Sequence, residues 1–307
     1  MYVHNAIRFI QASKKCWIRL VASINFDVST VCNKPSFRAI VFSKSAASRR
    51  FFIFTAGFFT LSLFILTRHA HAGAFCQDRN MDARVRIEYV IDGDTVVLTS
   101  GEKLRLIGVD TPEIGYKGKA SQSGAIEARE FIKGLIIRGR LYALKYGIER
   151  HDRHGRNLGH LFLEDGSNIQ AMLLSQGYAT PLNIPPNLYF SDCYDQQAAL
   201  AMNAKLGIWK LEQYQSTAAN ILTAKDSGYR IIHGRVTRVG NSASSLWLYL
   251  GQQLVIRIRH VDLKYFPGIG PEALKGMPIE ARGMLYSRNK QLRLRLRYHL
   301  DLKILNN

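Results

Sequence analysis

Short strand-like runs closed off by glycine turns fill residues 84–163 and leave few architectures open. Val85, Ile87 and Val90 lead into Asp92-Gly93-Asp94, a turn signal, and Thr95-Val96-Val97-Leu98 resumes as strand. Residues 103–109 alternate Leu104 and Leu106 against Arg105 and Ile107, which predicts a third strand. Residues 141–145 and 158–163 predict two more. Helices are predicted over 123–136, with Ala125, Ala128, Phe131 and Ile132 on one side, and over 168–175, capped by Asn168 and followed by Gly177. A third is predicted over 195–206, closed by Gly207. Strands this short with interposed helices predict a mainly β, α+β domain built on a five-stranded Greek-key barrel of the OB-fold type.

The stretch 212–228 is polar and small and reads as a linker. Beyond it, residues 231–239, 246–250, 254–261, 279–285 and 292–296 are strand-like, predicting a second small β-barrel or open sheet, OB-like. The expected plan is a leader over 1–72, a first domain over 83–211, the linker, and a basic β domain over 229–307.

The formal net charge is +19. Residues 1–72 hold ten Lys and Arg against Asp27 alone, which leaves 32 basic and 22 acidic residues in the remainder. The body of the chain is therefore basic, which favours a polyanionic partner, nucleic acid before an anionic membrane surface. The leader itself carries Ser48-Arg49-Arg50, an uncharged run from Phe51 to Leu66, and Ala70-His71-Ala72 ahead of Gly73. That pattern predicts export with cleavage after Ala72, to the periplasm or beyond; the alternative is an uncleaved inner-membrane anchor. Residues 1–47 look unlike a leader, so translation is expected to start later, near Val41. The four cysteines, Cys16, Cys32, Cys76 and Cys193, show no CxxC spacing, which argues against zinc. With the leader removed, Cys76 and Cys193 remain, as a disulfide in an oxidising compartment or as two free thiols.

The chemistry lies between Asp92 and Glu113. Asp94 follows a turn, Arg105 sits on a strand, and Asp110-Thr111-Pro112-Glu113 ends that strand. Carboxylates converging at one barrel rim repel one another unless a cation sits among them, and hard oxygen donors select Ca²⁺ or Mg²⁺. Taken alone, the Asp-Gly-Asp-Thr stretch also fits a solvated acidic turn.

It is not alone. Ile91-Asp92-Gly93-Asp94-Thr95, then Leu104-Arg105-Leu106-Ile107-Gly108-Val109-Asp110-Thr111-Pro112-Glu113, then Asp152-Arg153-His154-Gly155-Arg156 resembles the signature of the staphylococcal nuclease (thermonuclease) family. With Ala179 and Gly207-Ile208-Trp209 the resemblance covers roughly residues 83–210. It implies an OB-fold endonuclease that depends on calcium and hydrolyses DNA and RNA phosphodiesters with little sequence preference, leaving 3′-phosphate ends. It further implies that Asp94, Asp110 and the Thr111 carbonyl hold the ion, with Asp92 supporting them. Glu113 would take the proton of the attacking water, while Arg105 and Arg156 would grip the scissile phosphate. Two tyrosines near the nucleotide in the best-studied member align here with Asn183 and Pro185, so Tyr189 is a candidate replacement platform, and Arg153 a further contact.

In the tail, Arg293, Arg295 and Arg297 alternate with Leu292, Leu294 and Leu296, and Arg257 and Arg259 alternate with Ile256 and Ile258. Each run makes a basic ladder over an apolar face. It reads either as a nucleic-acid backbone contact or as a solvated face that keeps an edge from pairing. Three functions stand open: the exported nuclease, a non-catalytic nucleic-acid-binding OB-fold, and a membrane-anchored protein whose basic tail meets lipid.

Overall fold

The computed structural model describes residues 76–306 apart from 224 and 269. The leader, its cleavage point and the upstream stretch therefore lie outside the described residues. Among those residues no helix is long and apolar enough to cross a membrane.

Five strands close a barrel: β1 (Ala83–Val90), β2 (Thr95–Leu98), β3 (Lys103–Leu106), β5 (Leu141–His151) and β6 (Asn157–Phe162), in the order β1-β2-β3-β6-β5. Only the β3–β6 pairing is parallel. Val96, Leu104, Leu106, Leu144, Leu161 and Phe162 meet inside and are essentially without solvent contact. Truncating any of them leaves a cavity that costs about 2–5 kcal/mol. This is the expected OB-type barrel.

The strand predicted over 103–109 is in fact broken. It leaves the barrel after β3 and resumes as β4 (Gly108–Asp110), which pairs with β7 (Thr180–Leu182), Asp110 opposite Thr180. Gly108 makes the break possible: φ is +83°, and a Cβ there would sit 2.5 Å from the Tyr194 ring. This detour carries Asp110 to the barrel rim.

Three helices follow the barrel's edges. The first, α1 (Ala125–Leu135), buries Ala125, Ala128 and Ile132, one stripe at helical spacing. The next, α2 (Ile169–Ser175), starts at Asn168, whose Oδ1 accepts from the Ala171 N–H at 2.9 Å. The last, α3 (Ser191–Asn203), begins four residues earlier than the sequence suggested and carries Cys193, which forms a disulfide with Cys76.

The tail is a single open sheet rather than a second closed barrel. Its strands are β8 (Ser216–Ala218), β9 (Gly228–Arg235), β10 (Arg238–Ser242), β11 (Ser245–Leu250), β12 (Leu254–Arg259), β13 (Pro278–Arg288), β14 (Gln291–Leu296) and β15 (Leu302–Ile304). They run in the order β10-β11-β12-β14-β13-β9-β8, with β15 beside β13. One face buries Leu246, Leu248, Ile256, Ile258, Leu285, Leu292, Leu294 and Leu296 in a core of its own.

The segment read as a linker is not free chain. Residues 212–214 form a short 3₁₀ turn, and β8 pairs in parallel with β9. Barrel and sheet fall in one unit, His69–Asn307. Tyr229 and Ile231 of β9 belong to the barrel's core, where Tyr229 stands 6.5 Å from the Trp209 ring and 5.8 Å from that of Tyr214. Arg282 of β13 pairs with Asp195 of α3 and, at 3.5 Å, with Asp301, which also accepts from Asn183 Nδ2 at 3.0 Å. A seam this continuous is read from side chains far apart in sequence, which composition alone does not expose.

Candidate active site

The turn before β2 is built around Asp92, whose Oδ1 accepts the Asp94 N–H at 3.0 Å. Gly93 lets this turn press on the chain after β4: a Cβ there would come within 2.7 Å of Thr111 and 2.8 Å of Ala128. Thr111 uses that closeness. Its backbone N–H and its hydroxyl both donate to Asp94 Oδ2, at 3.0 and 3.1 Å, while Thr95 Oγ1 donates to Oδ1 at 3.1 Å. Asp94 is thus buried and fixed by Thr95 of β2 and by Thr111 just past β4.

Arg105 stands between the acids. Its Nη1 lies 3.0 Å from Asp94 Oδ2 and its Nη2 lies 3.1 Å from Asp110 Oδ1. Nη1 also donates to the carbonyls of Leu106 and Val109, at 2.9 and 3.0 Å. One guanidinium therefore gathers two carboxylates from separate elements, a task that its planar fork suits and a lysine's point charge does not. The Nε–H and one Nη2–H are left for a further acceptor.

Burial pushes the Asp110 carboxyl up to about 6, the Arg105 charge opposing and the charges of Asp94, Glu113 and Asp92 adding to the rise. Asp92 is likewise raised to about 6, first by burial and then by the Asp94 charge. These acids are crowded enough that a second positive charge among them is favourable. Among the described residues no three His, Cys, Asp or Glu side chains converge as a metal site, because Arg105 fills the space between Asp94 and Asp110. The donor chemistry nonetheless fits an oxygen-preferring divalent ion: buried carboxylates with raised affinity for protons, no sulfur, and the site's only nitrogen group cationic.

The remaining expected residues divide. Glu113 is exposed in the loop after Thr111, its backbone held to Gln122, and its charge bears on Asp110. Arg156 just precedes β6, whose Leu158 pairs with Arg105, so the two arginines lie one strand over and two residues apart. Its Nε donates to Asp152 Oδ2 at 2.7 Å within its own turn, and among the described residues it bonds none of Asp92, Asp94, Asp110 and Glu113. Arg153 Nε donates to its neighbour His154 at 3.0 Å.

Tyr189 does not line the cleft that holds Asp110. It is two-thirds exposed and stacks under Lys145, whose ammonium sits 4.6 Å from the ring and pairs with Asp78 at 2.9 Å. The aromatic rings near Asp110 come from the tail instead. A cleft of about 280 Å³ runs from Asp110 along residues 180–184 to Tyr229, Tyr286, Arg295 and Arg297. Sequence reading missed both tyrosines. They lie on strand-like runs, but no local signal places those runs next to residue 110.

The comparisons with known proteins agree with this geometry. The family described as staphylococcal nuclease homologue matches residues 103–211, which include Arg105, Asp110, Glu113 and Arg156. The thermonuclease of Staphylococcus intermedius is 32% identical over 127 residues, 40% of this chain and 74% of that protein. Endonuclease YncB of Bacillus subtilis is 31% identical over 134 residues, 42% of this chain and 63% of that protein. Endonuclease YhcR of the same organism is 34% identical over 134 residues, 40% of this chain, which spans only 11% of that much longer relative. A barrel of matching topology, the acid–arginine cluster at its rim and a thermonuclease matched over most of its length all agree: the chain belongs to the staphylococcal nuclease family.

Proposed function

We propose that this protein is an endonuclease that hydrolyses phosphodiester bonds of DNA and RNA with little sequence preference, that it requires calcium, and that it works outside the cytoplasm. The observation that carries the reading is the gathering of Asp94 and Asp110 on one guanidinium beside the exposed Glu113. The relatives named thermonuclease and endonuclease support it.

Asp94, Asp110 and the Thr111 carbonyl would hold the ion, which when bound neutralises phosphate charge and stabilises charge growing on its oxygens. Thr111 and Thr95 fix the Asp94 carboxylate in place, so no reorganisation is needed there. Arg105 would give up to the ion the space it fills between Asp94 and Asp110 and turn its donors to the phosphate. Arg156, released from Asp152, supplies a second fork at the neighbouring strand end. Glu113, exposed and without an ion pair among the described residues, accepts the proton of a water that attacks phosphorus. The Cys76–Cys193 disulfide supports an oxidising compartment, consistent with an exported protein.

The test is nicking of supercoiled plasmid with calcium, with chelator, and with Glu113→Gln. Calcium-dependent nicking that falls about 100-fold or more in the variant is expected. Tight binding with no cleavage under any divalent ion would identify a non-catalytic binding protein instead.

A further inference from the structure

The face of the tail sheet opposite its core carries charge that the barrel chemistry does not use. Arg293 and Arg295 of β14, Arg297 just past its end, and Arg257 and Arg259 of β12 share it, with Arg257 directly beside Arg295. Asp262 takes both Arg259, at 3.3 Å, and Arg295, at 3.5 Å. Among the described residues no ion pair reaches Arg257, Arg293 or Arg297. The Nε atoms of Arg293, Arg295 and Arg297 are shielded from solvent and meet no acceptor within the protein. The charges of Arg257, Arg293 and Arg297 are thus left uncompensated among the described residues, which suits a polyanion.

Edge protection does not account for these charges. β12 and β14 are interior strands of the sheet, so neither presents an open edge that needs blocking. Aromatic rings lie among the arginines. Trp247 pairs with Arg257 across β11–β12 and has the guanidinium carbons of Arg257 and Arg293 at 5.3 and 5.5 Å from its ring. Tyr286 pairs with Arg293, and Tyr249 lies 3.6 Å beneath Arg238. At its near end the face reaches the active cluster, since Arg295, Arg297 and Tyr286 line the same cleft as Asp110.

From this continuity we infer that the sheet holds a single-stranded stretch of the same nucleic acid that is cut at the barrel rim, its phosphates on the arginine rows and its bases on Trp247, Tyr249 and Tyr286. The substrate form follows from the rings. The paired, stacked bases of a duplex have no free face to lay on Trp247, Tyr249 and Tyr286, whereas the unstacked bases of a single strand take such aromatic partners while their phosphates follow the arginine rows. The inference rests on the nuclease reading only for where the strand leads; the binding itself is independent of it.

Binding of a fluorescent fifteen-nucleotide single strand to the full chain, measured by anisotropy in chelator at several salt concentrations, tests this without cleavage. Removing three arginines together (Arg257→Ala, Arg293→Ala, Arg297→Ala) is expected to weaken binding about 30-fold or more and to shallow the salt slope by about 2. Trp247→Leu, which keeps every charge, is expected to weaken it about tenfold. Ultraviolet cross-linking of a bromouracil-substituted strand to the unaltered protein should label peptides containing Trp247 or Tyr286. Unchanged affinity and slope, or cross-links confined to the barrel, overturn the inference. So does a loss seen only for phosphatidylglycerol vesicles, which would assign the face to a membrane. An inactive protein that binds the strand through these residues overturns the nuclease reading and leaves this one standing.

Discussion

The barrel and the sheet carry their charges in opposite ways. Residues 73–228 hold 18 basic and 18 acidic residues, whereas residues 229–307 hold 14 basic and 4 acidic, so the sheet supplies the whole excess of the chain beyond the leader. In the barrel the charges that frame the site, apart from the exposed Glu113, are spoken for. Arg105 is bound by two carboxylates and two carbonyls, Asp94 by four donors, Arg156 by Asp152. In the sheet a row of arginines is left with one carboxylate between them. Fixed, compensated charge suits a reaction centre, where geometry decides the rate; uncompensated charge suits a long polyanion, where attraction decides the residence time.

The largest effect expected is on the barrel's frame. Cys193→Ser opens a link between residues 117 apart in sequence, and should cost about 4 kcal/mol of stability by chemical denaturation. No cysteine lies beyond Cys193, so a reductant that loosened the sheet before the barrel would break the contrast. Next comes Arg105→Lys. It keeps the charge and loses the fork, and turnover should fall about 100-fold in initial-rate assays. A change within a few fold would mean the compensated guanidinium is only structural.

A smaller effect sits at the seam between the two regions. Burial pushes Asp301 up to about 6 even though Arg282 opposes the shift. The folded chain thus keeps a proton that the unfolded chain releases above about pH 4. The group's contribution to stability is complete below that value and is lost as pH rises to about 6. Asp301→Asn should flatten the pH dependence over that window by about 3 kcal/mol, read from denaturation midpoints in chelator. Asp92 and Asp110 shift the same way and keep the rest. Arg138→Ala, which breaks an exposed pair with Glu88, should change stability by less than about 0.5 kcal/mol. A larger loss would mean exposed barrel charges do more than the contrast allows.

Much of this was legible before the structure because the barrel writes itself locally. Alternation gives β1 to β3, Asn168 announces α2, and the acids and arginine of the site fall within 22 residues of one another. What stayed hidden depends on long-range contact. Gly108 reads as an ordinary strand glycine until Tyr194 is seen against it. The stretch 212–228 is polar enough to pass for a linker, although β8 pairs within it. Tyr189 was the nearest aromatic in sequence to the lost tyrosines, yet the rings beside Asp110 arrive from more than a hundred residues away, on the sheet. The arginine ladders were plain, but whether they lay on edge or interior strands was not, and that distinction decides what they are for.

The account turns on whether the acids around Arg105 take up a divalent ion. Calorimetric titration of the chelator-stripped chain with calcium reads this directly. One saturable site is expected, weakened about tenfold or more by Asp94→Asn and again by Asp110→Asn, with both variants folded. No calcium uptake by the unaltered protein, or uptake that both substitutions leave untouched, would contradict it.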